Sequence, residues 1–323
     1  MIFYKERIVW KEFFILLSNI KPDMLFSKQL TFAVYGRKRN TMVKIIADST
    51  CDLSPELIKQ YDVDIIPLHI ILGDQDYEDG KGITPDELFA WSDANKQTPK
   101  TAASTADTCM KAMAPYIAKG MDVICFSISE KMSTTFNSMR LAVAELNAED
   151  HVTVLDSANL STGIGLLVLE AASLAKQGKE MKEIVDAIEA LRSRVRASFV
   201  VDTLTYLHRG GRCSGVAALV GSTLKLHPLI AVEEGKMLPG KKYRGKMNRV
   251  IESYVHEMEA ELKTAHPDRV FITHSGCDQE VIQSVYDYLE SLGHFNEILI
   301  TRAGCVISSH CGPGTLGVLY IAG

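Results

Sequence analysis

The chain has 323 residues, of which 46% are hydrophobic and 23% are charged, and its formal net charge is −5. This length and balance are typical of a globular protein with room for two domains, each with its own core. The negative charge argues against nucleic-acid binding, which needs a basic excess, and no apolar run is long enough for stable insertion in a membrane.

The first 41 residues differ from the rest of the chain. Charged residues interrupt the apolar ones near its start, and the segment ends in the basic run Arg37–Arg39. Met42 stands directly before the first good strand, so we expect residues 1–41 to be an N-terminal extension that is either not native or disordered. The alternative is an amphipathic helix over residues 4–17 that lies on a membrane surface.

From Met42 onward, short β-branched runs alternate with segments of helical periodicity. The alternation predicts an α/β fold in which a parallel sheet carries helices on both faces, and we assign this domain to residues 42–200. Its predicted strands are 43–47, 65–72, 122–128 and 152–155. Its predicted helices begin at Pro55, at Pro85 (ending near Asn95) and after Thr105, and cover 136–146, 160–176 and 180–194.

The second half is less regular, and we assign it to a mixed α+β domain over residues 201–323. Residues 207–212 are expected to form a loop. The strands of this second domain are predicted at 226–232, 270–274, 298–301 and 316–321. A further strand is predicted at 197–201, at the boundary between the two domains. The helices of the second domain are predicted over 246–263 and 278–292.

The seven cysteines include no Cys-x-x-Cys pair, so neither a disulfide framework nor a structural zinc site is indicated. Scattered thiols fit a reducing cytoplasm. The sequence contains neither a P-loop nor a Gly-x-Gly-x-x-Gly turn, which gives no support for a nucleotide site of a common kind. We therefore expect no metal and no cofactor.

Two hydroxyl-rich loops lie at the starts of predicted helices. The first, Pro99–Thr105, contains Thr101, and the second, Ser127–Thr135, contains Ser129 and Ser133. Hydroxyls there commonly cap the helix, but hydroxyls and unpaired backbone N–H groups also bind anions. The second loop follows a buried strand, and ligands of open α/β sheets bind at the carboxyl ends of strands. It lacks the Gly-x-Ser-x-Gly pattern of a nucleophile elbow.

Two further motifs combine glycines with charged side chains. The glycines of Arg209-Gly210-Gly211-Arg212 allow a sharp turn that projects two guanidinium groups toward a carboxylate or phosphate; the alternative is a solvated surface loop. His310 precedes a Gly-Pro-Gly turn, where we expect a strand to end and the imidazole to meet a ligand at the edge of a buried slot. The alternative is a tight turn with a solvated histidine.

These motifs follow one another as they do in a known family. Because of these motifs and their order, the chain from Met42 to Ala322 resembles the DegV family of bacterial fatty-acid-binding proteins. The resemblance implies a two-domain α/β fold in which a fatty acid is held between the domains. The motifs are Ile46-Ala47-Asp48-Ser49-Thr50-Cys51-Asp52-Leu53, Pro99-Lys100-Thr101, Ile128-Ser129 with Met132-Ser133-Thr134-Thr135-Phe136, Tyr206-Leu207-His208-Arg209-Gly210-Gly211-Arg212 and Ser309-His310-Cys311-Gly312-Pro313-Gly314.

Members of this family resemble the lipid-binding subunit of a bacterial fatty acid kinase. The resemblance implies that the chain binds a long-chain fatty acid and presents its carboxylate to a separate ATP-binding kinase subunit in the cytoplasm. The acyl phosphate product then enters phospholipid synthesis. It also implies that this chain holds no catalytic residue, because the phosphoryl chemistry is supplied in trans.

Carried over by position, Thr101, Ser129, Ser133 and His310 resemble the groups that hold the fatty-acid carboxylate. Arg209 matches the arginine of the family's Arg-Gly-Gly-Arg loop and is expected to join them.

The resemblance also has a surface element and two departures. Arg244 lies where the family has a basic segment implicated in contact with the kinase subunit. The family commonly continues its first loop with Ser-x-Pro-Ser, where this chain has Ala102, and favours glycine at the position of Thr134.

Two other classes of function are open at this stage. One is a serine hydrolase acting on acyl esters, in which His310 activates Ser129 or Ser133; no acidic partner for the histidine is evident from the sequence. The other is a structural or regulatory protein that no longer binds lipid, for which the two departures leave room.

Overall fold

The computed structural model describes residues 42–213 and 226–323. The predicted N-terminal extension and the alternative membrane-surface helix over residues 4–17 therefore lie outside the described residues. The strands are β1 (Val43–Asp48), β2 (Val63–Ile66), β3 (His69–Leu72), β4 (Gln75–Glu78), β5 (Lys100–Ala102), β6 (Asp122–Ser127), β7 (Val152–Asp156), β8 (Val195–Val200), β9 (Leu226–Glu233), β10 (Lys236–Arg244), β11 (Arg269–Ser275), β12 (Glu297–Arg302) and β13 (Thr315–Ile321).

The helices alternate with these strands through most of the described chain. They are α1 (Pro55–Tyr61), α2 (Pro85–Asn95), α3 (Ala106–Ile117), α4 (Thr135–Glu145), α5 (Thr162–Lys176), α6 (Met181–Arg192), α7 (Thr205–Gly210), α8 (Met247–Glu257), α9 (Glu259–Leu262), α10 (Gln279–Ser291) and α11 (Cys305–Cys311), with a short 3-10 turn at Ser49–Cys51. No helix in this part of the chain is both long and apolar enough to cross a bilayer.

The first sheet is fully parallel, with strand order β2-β1-β6-β7. Alternate residues of β1 face opposite sides, because side chains alternate along a strand. Ile45 and Ala47 join the core that contains α5 and α6, whereas Ile46 joins the core that contains α3 and α4. The structure confirms the predicted parallel sheet with helices on both faces.

The second sheet is mixed, with strand order β10-β9-β8-β13-β11-β12, and its β11–β12 pair is parallel. One face packs against α5, and the other packs against α8 and α10. Helix α5 is buried along most of its length because it contacts strands of both sheets. β8, which comes just before the predicted domain boundary, belongs to this second sheet, and the boundary itself stays a prediction.

A small antiparallel sheet of order β4-β3-β5 corrects the prediction of one strand over residues 65–72. That run forms two strands, β2 and β3, which belong to different sheets. Pro67 lies between them, and proline cannot donate a ladder hydrogen bond within a continuous central strand. Thr101 lies on β5 and pairs with Ile70 of β3, so its side chain projects from a strand rather than from a free loop.

Three other segments differ from their predictions. The helix predicted over 246–263 is divided at Met258 into α8 and α9. The predicted loop at 207–212 is wrong in its first four residues, which form the end of α7. His310 does not follow a strand: it lies in the last turn of α11. The remaining predicted elements are found within a few residues of their expected bounds.

Candidate ligand cavity

A cavity of about 340 Å³ lies between the parallel sheet and the mixed sheet. Its volume is within the range of small-molecule sites, and most of its wall is apolar, as is typical of them. The apolar wall comes from loops that follow strands of the parallel sheet, from strands of the mixed sheet, and from α7 and α11. Its residues include Leu68, Ile128, Met132, Leu160, Phe199, Leu207, Met237, Val306, Ile307 and Leu319.

Thr101 and His310 form a polar pair on this wall. The Thr101 hydroxyl oxygen and Nε2 of His310 lie 3.0 Å apart, although the two residues are 209 positions apart in sequence. The small sheet supplies the threonine and α11 supplies the histidine, and both residues line the cavity. The structure therefore brings together two of the residues predicted to bind the carboxylate.

The His310 imidazole is held in its neutral form. Burial, and secondly the nearby Arg212 charge, lower the pKa of His310 to about 4. Its Nδ1 atom is buried and has no hydrogen-bond partner in the described part of the chain. The ring packs tightly against Gly210, since a Cβ atom added to Gly210 would lie 2.3 Å from Nδ1. Gly210 is therefore required for the position of the imidazole.

The two arginines around this glycine pair have different surroundings. Arg209 is exposed, donates a 2.9 Å hydrogen bond to the Thr98 hydroxyl, and is not part of the cavity wall. Arg212 lines the cavity and donates to the carbonyl oxygen of Gly210 at 2.8 Å. Gly211 caps α7 with a φ of +67°, a left-handed conformation that favours glycine. The family resemblance singled out Arg209 for the carboxylate, but Arg212 is the arginine that lines the cavity.

The two serines predicted to bind the carboxylate also differ in position, because only one of them lines the cavity. Ser133 lines the cavity, and its hydroxyl lies 2.9 Å from that of Thr135. Ser129 is fully buried outside the wall, and its hydroxyl donates a 2.7 Å hydrogen bond to the Gly235 carbonyl oxygen in the β9–β10 turn. Ser129 therefore links a loop of the first sheet to the second, and its role in carboxylate binding stays a prediction.

The family departures and the basic segment can also be located. Ala102 and Thr134 both line the cavity, so the two departures change its wall. Arg244 is exposed at the end of β10, opposite Leu226 of β9. It is not part of the cavity wall, and its contact with a kinase subunit stays a prediction.

Buried aspartates hold the helix that carries His310. An oxygen of Asp79 accepts hydrogen bonds from the backbone N–H groups of Cys305 at 2.9 Å and Val306 at 3.4 Å, and Asp52 accepts one from Gly304 at 2.9 Å. Burial raises the pKa of both aspartates, despite these donors. Helix α11 has no side-chain cap from its own N-cap residue, so distant residues supply its capping acceptors.

The sequence analysis missed Asp52 and Asp79 as site-building residues. Asp52 stands in a motif quoted for the resemblance, but its acceptor role involves Gly304, 252 residues away. Asp79 lies in a polar segment that also contains exposed acidic residues. No local pattern marks either contact.

Comparison with known proteins places this geometry in context. A family model described as "Uncharacterised protein, DegV family" matches residues 42–323. The chain belongs to the DegV family. Among DegV domain-containing proteins, one from Clostridium perfringens is 30% identical over 279 residues, which make up 86% of this chain and 98% of that relative. One from Deinococcus radiodurans is 30% identical over 276 residues, covering 85% and 97%.

Solved DegV structures have the same fold. A fatty-acid-binding DegV family protein of Thermus thermophilus is 29% identical, with a TM-score of 0.80 over 87% of this chain and 100% of that one. DegV of Bacillus subtilis, a fatty acid binding protein, is 26% identical, with a TM-score of 0.75 over 88% and 100%. A stearic-acid-binding protein of Eubacterium ventriosum is 27% identical, with a TM-score of 0.76 over 87% and 98%.

Proposed function

We propose that this DegV protein binds a long-chain fatty acid in the cavity between its parallel sheet and its mixed sheet. We further propose that it presents the carboxylate to a separate, ATP-dependent fatty acid kinase subunit in the cytoplasm. The observation that carries the binding function is an apolar cavity whose wall presents hydrogen-bonding groups at Thr101, His310 and Arg212. The fatty-acid-binding relatives of the same fold support it.

The polar cluster has the chemistry that a buried carboxylate needs. An unpaired carboxylate in an apolar cavity is very costly, so hydrogen-bond donors must meet it. Nδ1 of His310 has no hydrogen-bond partner among the described residues, and a buried orphan N–H is rarer and less favourable than an orphan acceptor. The imidazole proton therefore belongs on Nε2 and points to the Thr101 oxygen. The Thr101 hydroxyl proton is then available to the carboxylate, and Arg212 and Ser133 line the same cavity.

The apolar wall provides the affinity for the tail. Each methylene that leaves water contributes about 0.8 kcal/mol, so a chain of a dozen buried methylenes contributes on the order of 10 kcal/mol. Ordering the chain and losing its translational freedom offset part of that sum. Burial of the tail then supplies most of the affinity, whereas the polar cluster offsets the cost of burying the carboxylate and fixes the position of the head group.

The hydrolase alternative has little support in the geometry. A general base must lie within hydrogen-bond reach, about 3.2 Å between heavy atoms, of the group whose proton it removes. Nε2 of His310 contacts Thr101, whereas the hydroxyls of Ser129 and Ser133 contact Gly235 and Thr135. A histidine with a pKa lowered to about 4 is also a weak base. We therefore favour binding over hydrolysis.

A titration of delipidated protein with a fluorescent fatty acid tests the binding function. Thr101→Val removes the hydroxyl and keeps the shape, and we expect it to weaken binding roughly tenfold, since a charged acceptor loses a hydrogen bond. Thr98→Val is the matched control: Thr98 precedes β5, lies outside the cavity wall and should keep wild-type affinity. Equal affinities for the two variants, or no binding by the wild type, would overturn the proposal.

Presentation to a kinase needs a separate test. Wild-type chain, fatty acid, ATP and a fatty acid kinase subunit should yield acyl phosphate, and omission of any one should stop the reaction. Arg244→Glu reverses an exposed charge away from the cavity and should slow the coupled reaction at least fivefold without changing fatty-acid affinity. Lys182→Glu reverses an exposed charge on α6 and should leave the rate unchanged. Equal rates for both variants would contradict the proposed contact.

A further inference from the structure

Four buried hydroxyl side chains line the cavity: Ser161, Thr273, Ser275 and Thr315. All of them except Thr273 donate their proton to an acceptor of the protein, so they have no proton left for a ligand. The respective acceptors are the Asp52 carboxylate for Ser161, the Ser308 hydroxyl for Ser275 and the Cys311 carbonyl oxygen for Thr315.

Thr273 is placed differently, between two other threonines. Its hydroxyl oxygen lies 2.6 Å from that of Thr162 on α5 and 3.1 Å from that of Thr301, its register partner on β12. A hydroxyl has one proton and two lone pairs. Three hydroxyls joined by two hydrogen bonds therefore use two of their three protons, and one proton remains.

The position of the remaining proton follows from burial. Thr162 and Thr301 are 0% and 3% exposed, are not part of the cavity wall, and have no other side-chain hydrogen bond in the described part of the chain. A proton left on either would therefore be an unpaired buried donor. Thr273 can instead accept from both neighbours with its two lone pairs. Its own proton then points into the cavity, where Thr273 forms part of the wall.

The wall beside Thr273 is open. Its register partner on β13 is Gly317, which also lines the cavity and contributes no side chain. A Cβ atom at Gly317 would lie 2.7 Å from the carbonyl oxygen of Ser198, so the strand pairing itself excludes a larger residue. Ligand atoms can therefore approach the Thr273 hydroxyl past the glycine.

Thr273 lies on β11, whereas Thr101 lies on β5 and His310 lies on α11. Ser275, two residues further along β11, contacts Ser308 of α11, the helix that carries His310. Two residues of a strand span about 7 Å. A ligand whose carboxylate lies at Thr101 and His310 would thus meet Thr273 with its chain rather than its head group.

We propose that Thr273, oriented by Thr162 and Thr301, is a second polar subsite that accepts an oxygen atom on the acyl chain. The ligand class is then a long-chain fatty acid with an oxo or hydroxyl group at one particular distance from its carboxylate. This inference rests on the proposed fatty-acid function and specifies which fatty acids the site favours. The lone pairs of Thr273 are already used, so an oxo group, which can only accept, should bind as well as a hydroxyl.

Competition against a fluorescent fatty acid, with delipidated protein, tests the subsite. The competitors are stearate and a series of oxostearates whose keto group moves along the chain. We expect one position, or two adjacent ones, to bind roughly fivefold tighter than the other isomers, the effect of one added neutral hydrogen bond. Equal binding of all isomers would overturn the subsite.

Three variants sharpen the test. Thr273→Val should abolish the difference between isomers while stearate still binds, and Thr273→Ser, which keeps the hydroxyl, should retain the difference even if the valine variant folds poorly. Thr315→Val removes a wall hydroxyl that donates to Cys311 and should also retain it. Persistence of the positional preference in a folded Thr273→Val variant would contradict the inference. If the wild type binds neither stearate nor any of the isomers, the fatty-acid function itself is refuted.

Discussion

Arg209 and Arg212 flank the same two glycines but contact different parts of the molecule. Arg209 reaches outward to Thr98, whereas Arg212 lies at the cavity, close enough to lower the pKa of His310. The family pattern alone does not distinguish them, because it contains both. The direction that each side chain takes depends on where α7 ends, at Gly210, and on the left-handed cap at Gly211.

The arginine pair therefore yields a direct comparison. We predict that Arg212→Ala weakens fatty-acid binding about tenfold, because a charge-assisted contact to the carboxylate is lost. Arg209→Ala should change affinity less than twofold, since it loses an exposed hydrogen bond to Thr98. Titration with a fluorescent fatty acid measures both. The opposite order of effects would return the carboxylate role to Arg209, as the resemblance first suggested.

His310 should make stability depend on pH. Its pKa is lowered from 6.5 to about 4, so between these values the unfolded chain binds more protons than the folded one. The contribution of neutral His310 to the free energy of unfolding is therefore fully present above pH 6.5, and it is lost as the pH decreases toward 4. Over this pH range, the free energy of unfolding of His310→Gln should fall by about 1 to 3 kcal/mol less than that of the wild type. One pKa unit corresponds to roughly 1.4 kcal/mol.

Urea denaturation of both proteins at several pH values checks this prediction. Other groups titrate in the same range: burial also lowers the pKa of His274 to about 4 and raises that of Asp48 to about 6. Because both proteins contain these groups, their contributions cancel in the difference between the two stability curves. Parallel curves would show that His310 is not held neutral by the fold.

At the scale of elements, α7 and α11 meet where Gly210 packs on the His310 ring. We predict that Gly210→Ala destabilises the fold by about 1 to 3 kcal/mol, because a methyl group 2.3 Å from Nδ1 forces the ring to move. Fatty-acid binding should weaken as well. The φ of Gly210 is not positive, so alanine introduces no backbone strain there.

A double variant separates this contact from a general effect of the substitution. In Gly210→Ala combined with His310→Ala, the methyl group has no ring to displace, so most of the lost stability should return while binding stays weak. Thermal denaturation and the fluorescent titration measure the two properties. Additive losses of stability in the double variant would contradict the proposed contact.

The Asp79 contact with the start of α11 predicts a second effect at this scale. Asp79→Ala would leave the buried N–H groups of Cys305 and Val306 without their acceptor, at a cost of about 2 to 4 kcal/mol. Because α11 carries His310, affinity for fatty acid should fall too. Asp76→Ala on β4 is the matched control: it removes an exposed contact to His69 worth less than about 1 kcal/mol. Equal losses in urea denaturation would contradict the capping role.

The elements that sequence analysis predicted well are those with local signals. The helix at Pro85 has a threonine cap, a proline in its first turn and Glu87 completing a capping box, and it ends at Asn95 as predicted. Helix α11 has no such signal, because its capping acceptors are Asp52 and Asp79, more than 200 residues away. A seven-residue helix has little stability of its own.

The candidate site was predictable only in part for the same reason. Thr101, Ser133 and His310 were found through the family motifs, and all three line the cavity. The outward direction of Arg209 and the link from Ser129 to Gly235 depend on packing between distant elements. No periodicity in the sequence encodes either one.

At the scale of the whole molecule, the cavity depends on two sheets that meet at one helix. Helix α5 is buried against strands of both sheets, and the cavity opens beside its first turn, where Leu160 and Ser161 line the wall. The carboxyl end of β6 and the carboxyl end of β11 both face this space, the position at which open α/β sheets bind ligands. Because α5 packs against both sheets, the two-domain assignment with a boundary near residue 200 stays a prediction.

The central claim, that the cavity holds a long-chain fatty acid, is tested most directly by mass spectrometry of the purified protein. The protein is denatured, extracted into organic solvent, and the extracted acyl chains are quantified against the polypeptide. We predict close to one long-chain fatty acid per chain, and a sharp reduction in Thr101→Val but not in Thr98→Val. An extract without acyl chains, together with failure of the protein to bind added palmitate or oleate, would contradict the account.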